Sequence, residues 1–366
     1  MENLEAYPLH GGQLRQIAER FGVPASELLD FSANINPIGP PPAVLSALRA
    51  SLDDPATLIE YPELQQTDLK RSLARYAGTS EANVVVANGF VPLLEATLRA
   101  LNIRSCLLPV PAFVEYRKTL ERAGVEIIPH ALNADASFHY DPAAVFAQHA
   151  EAILIANPQN PSGVCHDSAS MCGLIAAASE KGMVVLLDEA FIDYAPENSL
   201  TPIIDRYPNL IVFRSVTKFH AMPGLRVAYA IASPALATAI SEKLPPWPVT
   251  TLASLAVIAA LDDHAYIIRS RSENLARRIA LQAELKSLGL AVYPSAANFL
   301  LFRLPSTIDP DVFWEYLIVE QRIVLRSCAN YEALPARHFR AAVRNETENT
   351  RLATAFAKAL VTLQRN

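Results

Sequence analysis

Lys218 lies in the run Ser215-Val216-Thr217-Lys218-Phe219-His220-Ala221-Met222-Pro223-Gly224-Leu225-Arg226, downstream of Asn160-Pro161-Ser162-Gly163 and of Asp188-Glu189-Ala190-Phe191. These residue types, in this order, meet the needs of one cofactor. Pyridoxal phosphate calls for an amine that condenses with its aldehyde, a carboxylate beside its pyridinium nitrogen, and hydroxyls with a guanidinium around its phosphate. Lys218 supplies the amine, and Ser215, Thr217 and Arg226 supply the phosphate cradle across a Pro-Gly turn. Asp188 ends an apolar run, where an ionised carboxylate is costly unless a cation or several donors face it. Each has a plainer reading: Asp188 as a helix N-cap, Ser215 and Thr217 as turn formers, Arg226 as a surface charge.

Further polar groups fall into the same frame. Asn160 reads as a donor to the ring hydroxyl oxygen, or simply as an Asn-Pro turn, and Phe113 in Pro111-Ala112-Phe113-Val114-Glu115-Tyr116 offers a flat face for the ring. Tyr194 is either a second site aromatic or core. Arg340 stands inside the apolar run Phe339-Arg340-Ala341-Ala342-Val343, and a buried guanidinium wants a bidentate anion, which marks it as the clamp for a substrate carboxylate. Arg344 has the same strand parity but reads equally as a surface ion pair. His10-Gly11-Gly12 and Ser32-Ala33-Asn34-Ile35-Asn36-Pro37 offer donors to an anionic substrate tail, though as local sequence they are a flexible turn and an Asn-Pro turn.

The elements that must position these residues follow from the hydropathy pattern. Between about Val84 and Ala230, short apolar runs alternate with amphipathic segments, the pattern of a mostly parallel sheet flanked by helices. Ala152–Ala156 and Met183–Leu187 are continuously apolar, as strands covered on both faces require, and Asn160 and Asp188 follow their C-terminal ends. Pro245–Pro248 breaks the pattern. A long helical stretch to about Leu288, strands near 297–302 and 339–343, and a terminal helix from about Glu348 then predict a smaller α/β domain. The expected division is a large domain over 40–245, with 1–39 and 246–366 forming the small one. Pro37–Pro42 reads as an extended connector.

Composition narrows the function classes. A chain of 366 residues, 51% hydrophobic and 19% charged, has room for a large core. Its net charge of −6 supplies no basic field for a nucleic acid. The start lacks a basic and apolar leader, and no apolar run reaches the ~18 residues of a membrane span, so the expectation is a cytoplasmic protein without a membrane partner. Cys106, Cys165, Cys172 and Cys328 and the eight histidines show no metal-ligand spacing. Motifs of dinucleotide, nucleoside-triphosphate, serine-hydrolase and zincin sites are missing.

Taken together, the motifs resemble the fold-type I pyridoxal-phosphate aminotransferase superfamily, in particular its histidinol-phosphate aminotransferase branch, over essentially the whole chain. Within that branch, His10–Gly12, Phe31–Pro37, Phe113–Tyr116, Thr217–Phe219 with Pro223–Arg226, Pro245–Trp247, and Ser327–Tyr331 ahead of Phe339–Arg340 are similar to the L-threonine-O-3-phosphate decarboxylases of cobalamin biosynthesis. The resemblance implies that Lys218 bonds the cofactor, Asp188 pairs with the pyridinium, and Asn160 and Phe113 touch the ring. It assigns the cofactor phosphate to Ser215, Thr217 and Arg226, with backbone amides at Gly89 and Phe90. Tyr61 matches a tyrosine that reaches the neighbouring subunit's cofactor phosphate, which implies a homodimer. Arg340 would hold the substrate carboxylate, and His10, Ser32 and Asn34 the distal phosphate of a small phosphorylated amino acid.

The implied reaction is decarboxylation of O-phospho-L-threonine or O-phospho-L-serine to an amino-alcohol phosphate for cobalamin nucleotide-loop assembly. Transamination of histidinol-phosphate type with 2-oxoglutarate is the alternative, and a non-catalytic binding protein on the same scaffold a third. Departures from the family pattern are Phe90-Val91-Pro92, where Pro92 has no amide to offer, His220 for a tyrosine, Thr250 for an asparagine and Ser327 for an aspartate.

Overall fold

Ala152-Ile153-Leu154-Ile155-Ala156 has no polar side chain to turn to water, and in the computed structural model, which describes residues 7–364, all five are buried in one strand. That strand is central to a seven-stranded sheet in the spatial order Val84–Ala87, Ala228–Ile231, Leu210–Ser215, Val184–Asp188, Ala152–Ala156, Ser105–Val110, Glu126–Ala131. Ala228–Ile231 runs antiparallel to both its neighbours, and the remaining pairs are parallel. Alternate residues serve opposite faces. Ile153 and Ile155 join Val185, Leu187 and Val212 in one cluster, while Leu154 joins Leu186, Ile211 and Phe213 in another, as the two-residue period of a strand demands.

A second sheet is antiparallel throughout, in the order Arg326–Ser327, His338–Ala342, Phe299–Arg303, Ala291–Val292. It shares a core of Phe302, Phe313, Phe339 and Phe356 with the helices Pro310–Val319 and Glu346–Leu363. The last helix starts on a capping box between Asn345 and Glu348, which satisfies amide groups that a helix start would otherwise leave open. Leu29–Asp30 pairs in parallel with Ile323–Val324, tying the N-terminal segment to this second unit.

The structure departs from the expected division at 245/246. Helix Thr251–Leu261 is apolar on all sides, and Ala253, Ala256, Val257 and Leu261 belong to the same core cluster as the large sheet, packed against helices Pro42–Leu52 and Thr67–Ala77. The chain therefore leaves the large unit only after Leu261. The expected single helical stretch is two helices, Thr251–Leu261 and His264–Ser287, bent by 72° where the Asp263 side chain caps the Tyr266 amide. Among the described residues, no single helix is long and apolar enough to cross a membrane.

Ser105–Val110 connects to Glu126–Ala131 on one side and is flanked by Ala152–Ala156 on the other. The strand order reverses there, and the C-terminal ends of the parallel strands open a crevice. Every loop that carries a sequence-predicted cofactor residue, apart from that of Tyr61, leaves the large sheet at this edge.

Candidate active site

His10, Ser32, Asn34, Gly89, Phe90, Phe113, Asn160, Asp188, Ser215, Thr217, Lys218, Arg226 and Arg340 line one cavity of about 550 Å3. Tyr61 lies elsewhere: it is 78% exposed and stacks on Trp247 with ring centroids 4.6 Å apart.

Lys218 follows strand Leu210–Ser215 and is partly buried in the cavity wall, and this burial, with Arg340 and Arg226 adding repulsion, pulls its amine down to about 8. Asp188 closes strand Val184–Asp188, and burial raises its carboxyl to about 6 against the pull of its donors. Those donors are the Tyr116 hydroxyl on Oδ2 and the Ala190 amide, 2.8 Å from Oδ1. The charge on this carboxylate is thus incompletely compensated, and a cationic ring nitrogen would complete it.

Ser215 Oγ and Thr217 Oγ1 are 2.7 Å apart at the end of the same strand. Facing them, Gly89 precedes helix Phe90–Leu101 with φ of 96°, and a Cβ built there would lie 2.9 Å from Arg226 Nη2. Only glycine leaves that space open, between a guanidinium and the positive end of a helix. Pro92 lies in the first turn and removes one amide from the set, but those of Phe90 and Val91 remain. Two hydroxyls, a guanidinium and a helix N-terminus around one gap fit a phosphate, and with Lys218 and Asp188 alongside they fit pyridoxal phosphate as a whole.

Asn160 belongs to a loop fixed by its neighbours. The Asn157 side chain exchanges two hydrogen bonds with the His166 backbone, and Gly163 (φ 78°) approaches Ser295 so closely that a Cβ would fall 2.3 Å from its Oγ. Asn160 Oδ1 accepts from Arg340 Nη1 at 2.5 Å, which leaves its amide nitrogen as a free donor. Arg340, in strand His338–Ala342, also donates to the Ser32 carbonyl at 3.2 Å and stacks over the Phe299 ring. Turning the Asn34 amide brings its oxygen 3.3 Å from Arg340.

Sequence reasoning missed Arg326. It is 3% exposed, lines the cavity and pairs directly opposite Arg340 across two antiparallel strands, so the two side chains share one face. Arg326 Nη2 donates to the Leu9 carbonyl and to Asn330 Oδ1, both at 2.9 Å, over the ring of Tyr331. Among the described residues neither arginine has a carboxylate within ion-pair distance. The signal was faint, since Arg326 directly follows the apolar run Ile323-Val324-Leu325, whereas Arg340 stands inside its own. Tyr116 was likewise passed over; it is the buried hydroxyl that serves Asp188.

His10 Nε2 lies 3.1 Å from Glu115 Oε1, and burial lowers its pKa while Glu115 opposes that shift. The Ser32 hydroxyl donates to Asp30 at 2.6 Å and accepts the Gly12 amide at 2.9 Å, so it braces the His10 loop. Tyr194 packs on Phe219, outside the cavity. Of the departures, His220 is fully buried beneath the lysine turn, Thr250 caps helix Thr251–Leu261, and Ser327 Oγ accepts the Ala329 amide.

A family model described as aminotransferase class I and II matches residues 26–356. The chain belongs to this family. It is similar to the threonine-phosphate decarboxylase of Salmonella typhimurium, 33% identical over 96% of each chain. It is also similar to histidinol-phosphate aminotransferase 2 of Pseudomonas aeruginosa, 31% identical over 96% of this chain and 94% of that one. Among solved structures, the histidinol-phosphate aminotransferase of Clostridium acetobutylicum superimposes with a TM-score of 0.85 at 29% identity, over 92% of this chain and 100% of the other. Family membership and the donor set agree: the chain is a pyridoxal-phosphate-dependent enzyme.

Proposed function

We propose that this enzyme decarboxylates O-phospho-L-threonine, or O-phospho-L-serine, to the amino-alcohol phosphate used in cobalamin nucleotide-loop assembly. The observation that carries the reading is the Arg326–Arg340 pair. Like charges directly opposite each other on neighbouring strands repel, and both are buried with no carboxylate at ion-pair distance among the described residues, so the arrangement calls for anions from a ligand. A phosphorylated amino acid brings two, and the likeness to threonine-phosphate decarboxylase supports the same choice.

When bound, pyridoxal phosphate supplies an electron-accepting ring that stabilises the charge left on the substrate Cα after a bond there breaks. The chain does the rest. Asp188 would hold the ring nitrogen in its protonated form, Ser215, Thr217, Arg226 and the amides after Gly89 would hold the phosphate, and Phe113 and Asn160 would fix the ring. Lys218, with an amine near 8, gives and takes a proton at Nζ close to neutral pH. Arg340 receives the substrate carboxylate, and Arg326, with His10 and Asn34, the distal phosphate. Anchorage at the phosphate decides which Cα bond is presented for cleavage. With Arg326 gripping the phosphate, the bond to the carboxylate would be the one presented, which corresponds to loss of CO2; with Arg340 gripping the carboxylate, the Cα proton would be presented to Lys218 Nζ, which corresponds to transamination.

That second outcome is the competing reading, supported by the similar identity to histidinol-phosphate aminotransferase 2. We further propose a homodimer in which Tyr61 reaches the partner's cofactor phosphate. Its support is an exposed apolar face on one side of the large unit, with Leu58 at 68%, Ile59 at 80% and Leu64 at 54% around Tyr61. The deciding experiment incubates the enzyme with phosphothreonine, phosphoserine or histidinol phosphate, each with and without 2-oxoglutarate, and identifies products by mass. CO2 release without a keto acid supports decarboxylation; glutamate formation selects the transaminase.

A further inference from the structure

The turn that carries Lys218 is held from outside its own sheet. Past Ser215 the chain has left the strand ladder, and the Lys218 carbonyl accepts a hydrogen bond from the backbone N–H of Asn36 at 3.1 Å. The next carbonyl, of Phe219, lies 2.9 Å from Asn36 Nδ2. The same nitrogen is 3.1 Å from Tyr266 Oη and 3.0 Å from Ser270 Oγ, both on helix His264–Ser287. Asn36 Oδ1 accepts the Ile38 amide at 3.2 Å, and Tyr266 Oη donates to the Gly39 carbonyl at 2.7 Å. One side chain thus joins the N-terminal segment, the lysine turn and the helix that leads into the second unit.

The Phe219 carbonyl has one further donor, the Tyr266 hydroxyl at 3.0 Å, which Asn36 Nδ2 itself contacts. The remaining backbone donor to the Lys218 carbonyl, the Ala221 amide, is 3.4 Å away. His220, next along the turn, has neither ring nitrogen in a hydrogen bond. Asn36 is 4% exposed, so solvent has little room to replace it. Lysine reaches its amine through a long, flexible stem, and the direction in which that stem leaves the backbone is set by the peptides on either side of its Cα.

We propose that Asn36 is a positioning residue for Lys218, fixing two successive carbonyls of the turn and thereby the direction of the reactive amine. The inference rests on the reading of Lys218 as that amine, and adds the residue that aims it. Asn36→Asp keeps the size and the Oδ1 acceptor but exchanges the Nδ2 donor for a carboxylate charge, Asn36→Ala loses both groups without adding charge, and Tyr266→Phe removes the other donor to the Phe219 carbonyl while keeping the Asn36 side chain. For each, acetylation of Lys218 in the full-length cofactor-free chain is followed by peptide mass across pH, beside turnover per bound cofactor and the melting temperature.

Positioning predicts that Asn36→Ala, and to a smaller extent Tyr266→Phe, moves the pH midpoint of Lys218 acetylation and lowers turnover per bound cofactor about 10- to 100-fold; a midpoint that moves in Asn36→Asp alone reports the added charge and overturns the proposal. A lower melting temperature with the midpoint and the turnover unchanged overturns the proposal. If Asn36→Ala does not fold, the other two variants carry the test. A wild-type chain that never bonds cofactor at Lys218 contradicts the reading of the site instead, and the acetylation midpoints then decide on Asn36 alone.

Discussion

On the cofactor wall of the cavity, Gly89, Asp188 and Ser215 stand at or just past the ends of strands in one seven-stranded sheet, and their positions follow from ladder hydrogen bonds. On the substrate wall, His10, Ser32, Arg326 and Arg340 come from the N-terminal segment and a small antiparallel sheet, held mostly by side-chain contacts to backbone carbonyls. The first wall is tied to the ladder of the large sheet. The second is adjustable, because replacing a guanidinium or a short loop there disturbs no strand of the large core. Fixed chemistry on one side and variable recognition on the other is how a single scaffold serves different substrates.

Substitutions on the two walls should therefore fail differently. The largest effect is expected for Lys218→Ala, which removes the reactive amine and should lower turnover of every substrate by at least about 10^4-fold, read as product by mass. Asp188→Asn should weaken cofactor binding and abolish its pH dependence. The sign follows from the raised pKa: a carboxyl moved from 3.8 to about 6 favours the cofactor-free fold at low pH and costs it stability as pH rises through that value. Cofactor binding runs the opposite way, tightening as pH rises through about 6, because the ring nitrogen needs the ionised form. Tyr116→Phe removes a donor to that carboxylate and should shift the binding midpoint upward by roughly one unit, measured by cofactor titration across pH.

Smaller, selective losses belong to the substrate wall. Arg340→Gln should raise KM for all amino-acid substrates, by about 10- to 100-fold. Arg326→Gln should do so for phosphorylated substrates alone, and an equal loss for unphosphorylated analogues would erase the distinction drawn between the two arginines. The smallest effect is expected for Tyr61→Phe: if the proposed dimer forms, a severalfold loss of cofactor affinity with no change in sedimentation.

The same contrast explains what the sequence disclosed. Asp188, Asn160, Ser215 and Lys218 each follow a short apolar run, so strand and loop could be read together and the chemistry attached to their junction. Arg340 was legible for a related reason, a charge inside an apolar strand. Arg326 only follows an apolar run, and its strand, Arg326–Ser327, is two residues long and leaves almost no periodic signal. Tyr116 stands in a helix whose apolar positions also satisfy a packing role, and only the fold brings its hydroxyl to Asp188. The reach of the large core to Leu261 was hidden because Thr251–Leu261 is apolar all round, and no face of it says which unit it joins.

The account stands on the bond between cofactor and Lys218. Borohydride reduction of the enzyme loaded with pyridoxal phosphate, followed by proteolysis and mass mapping, should put the reduced pyridoxyl group on the peptide containing Lys218 and on no other. Its attachment to a different lysine, or a protein that carries no pyridoxyl group after saturation, would contradict the assignment on which both walls of the cavity have been read.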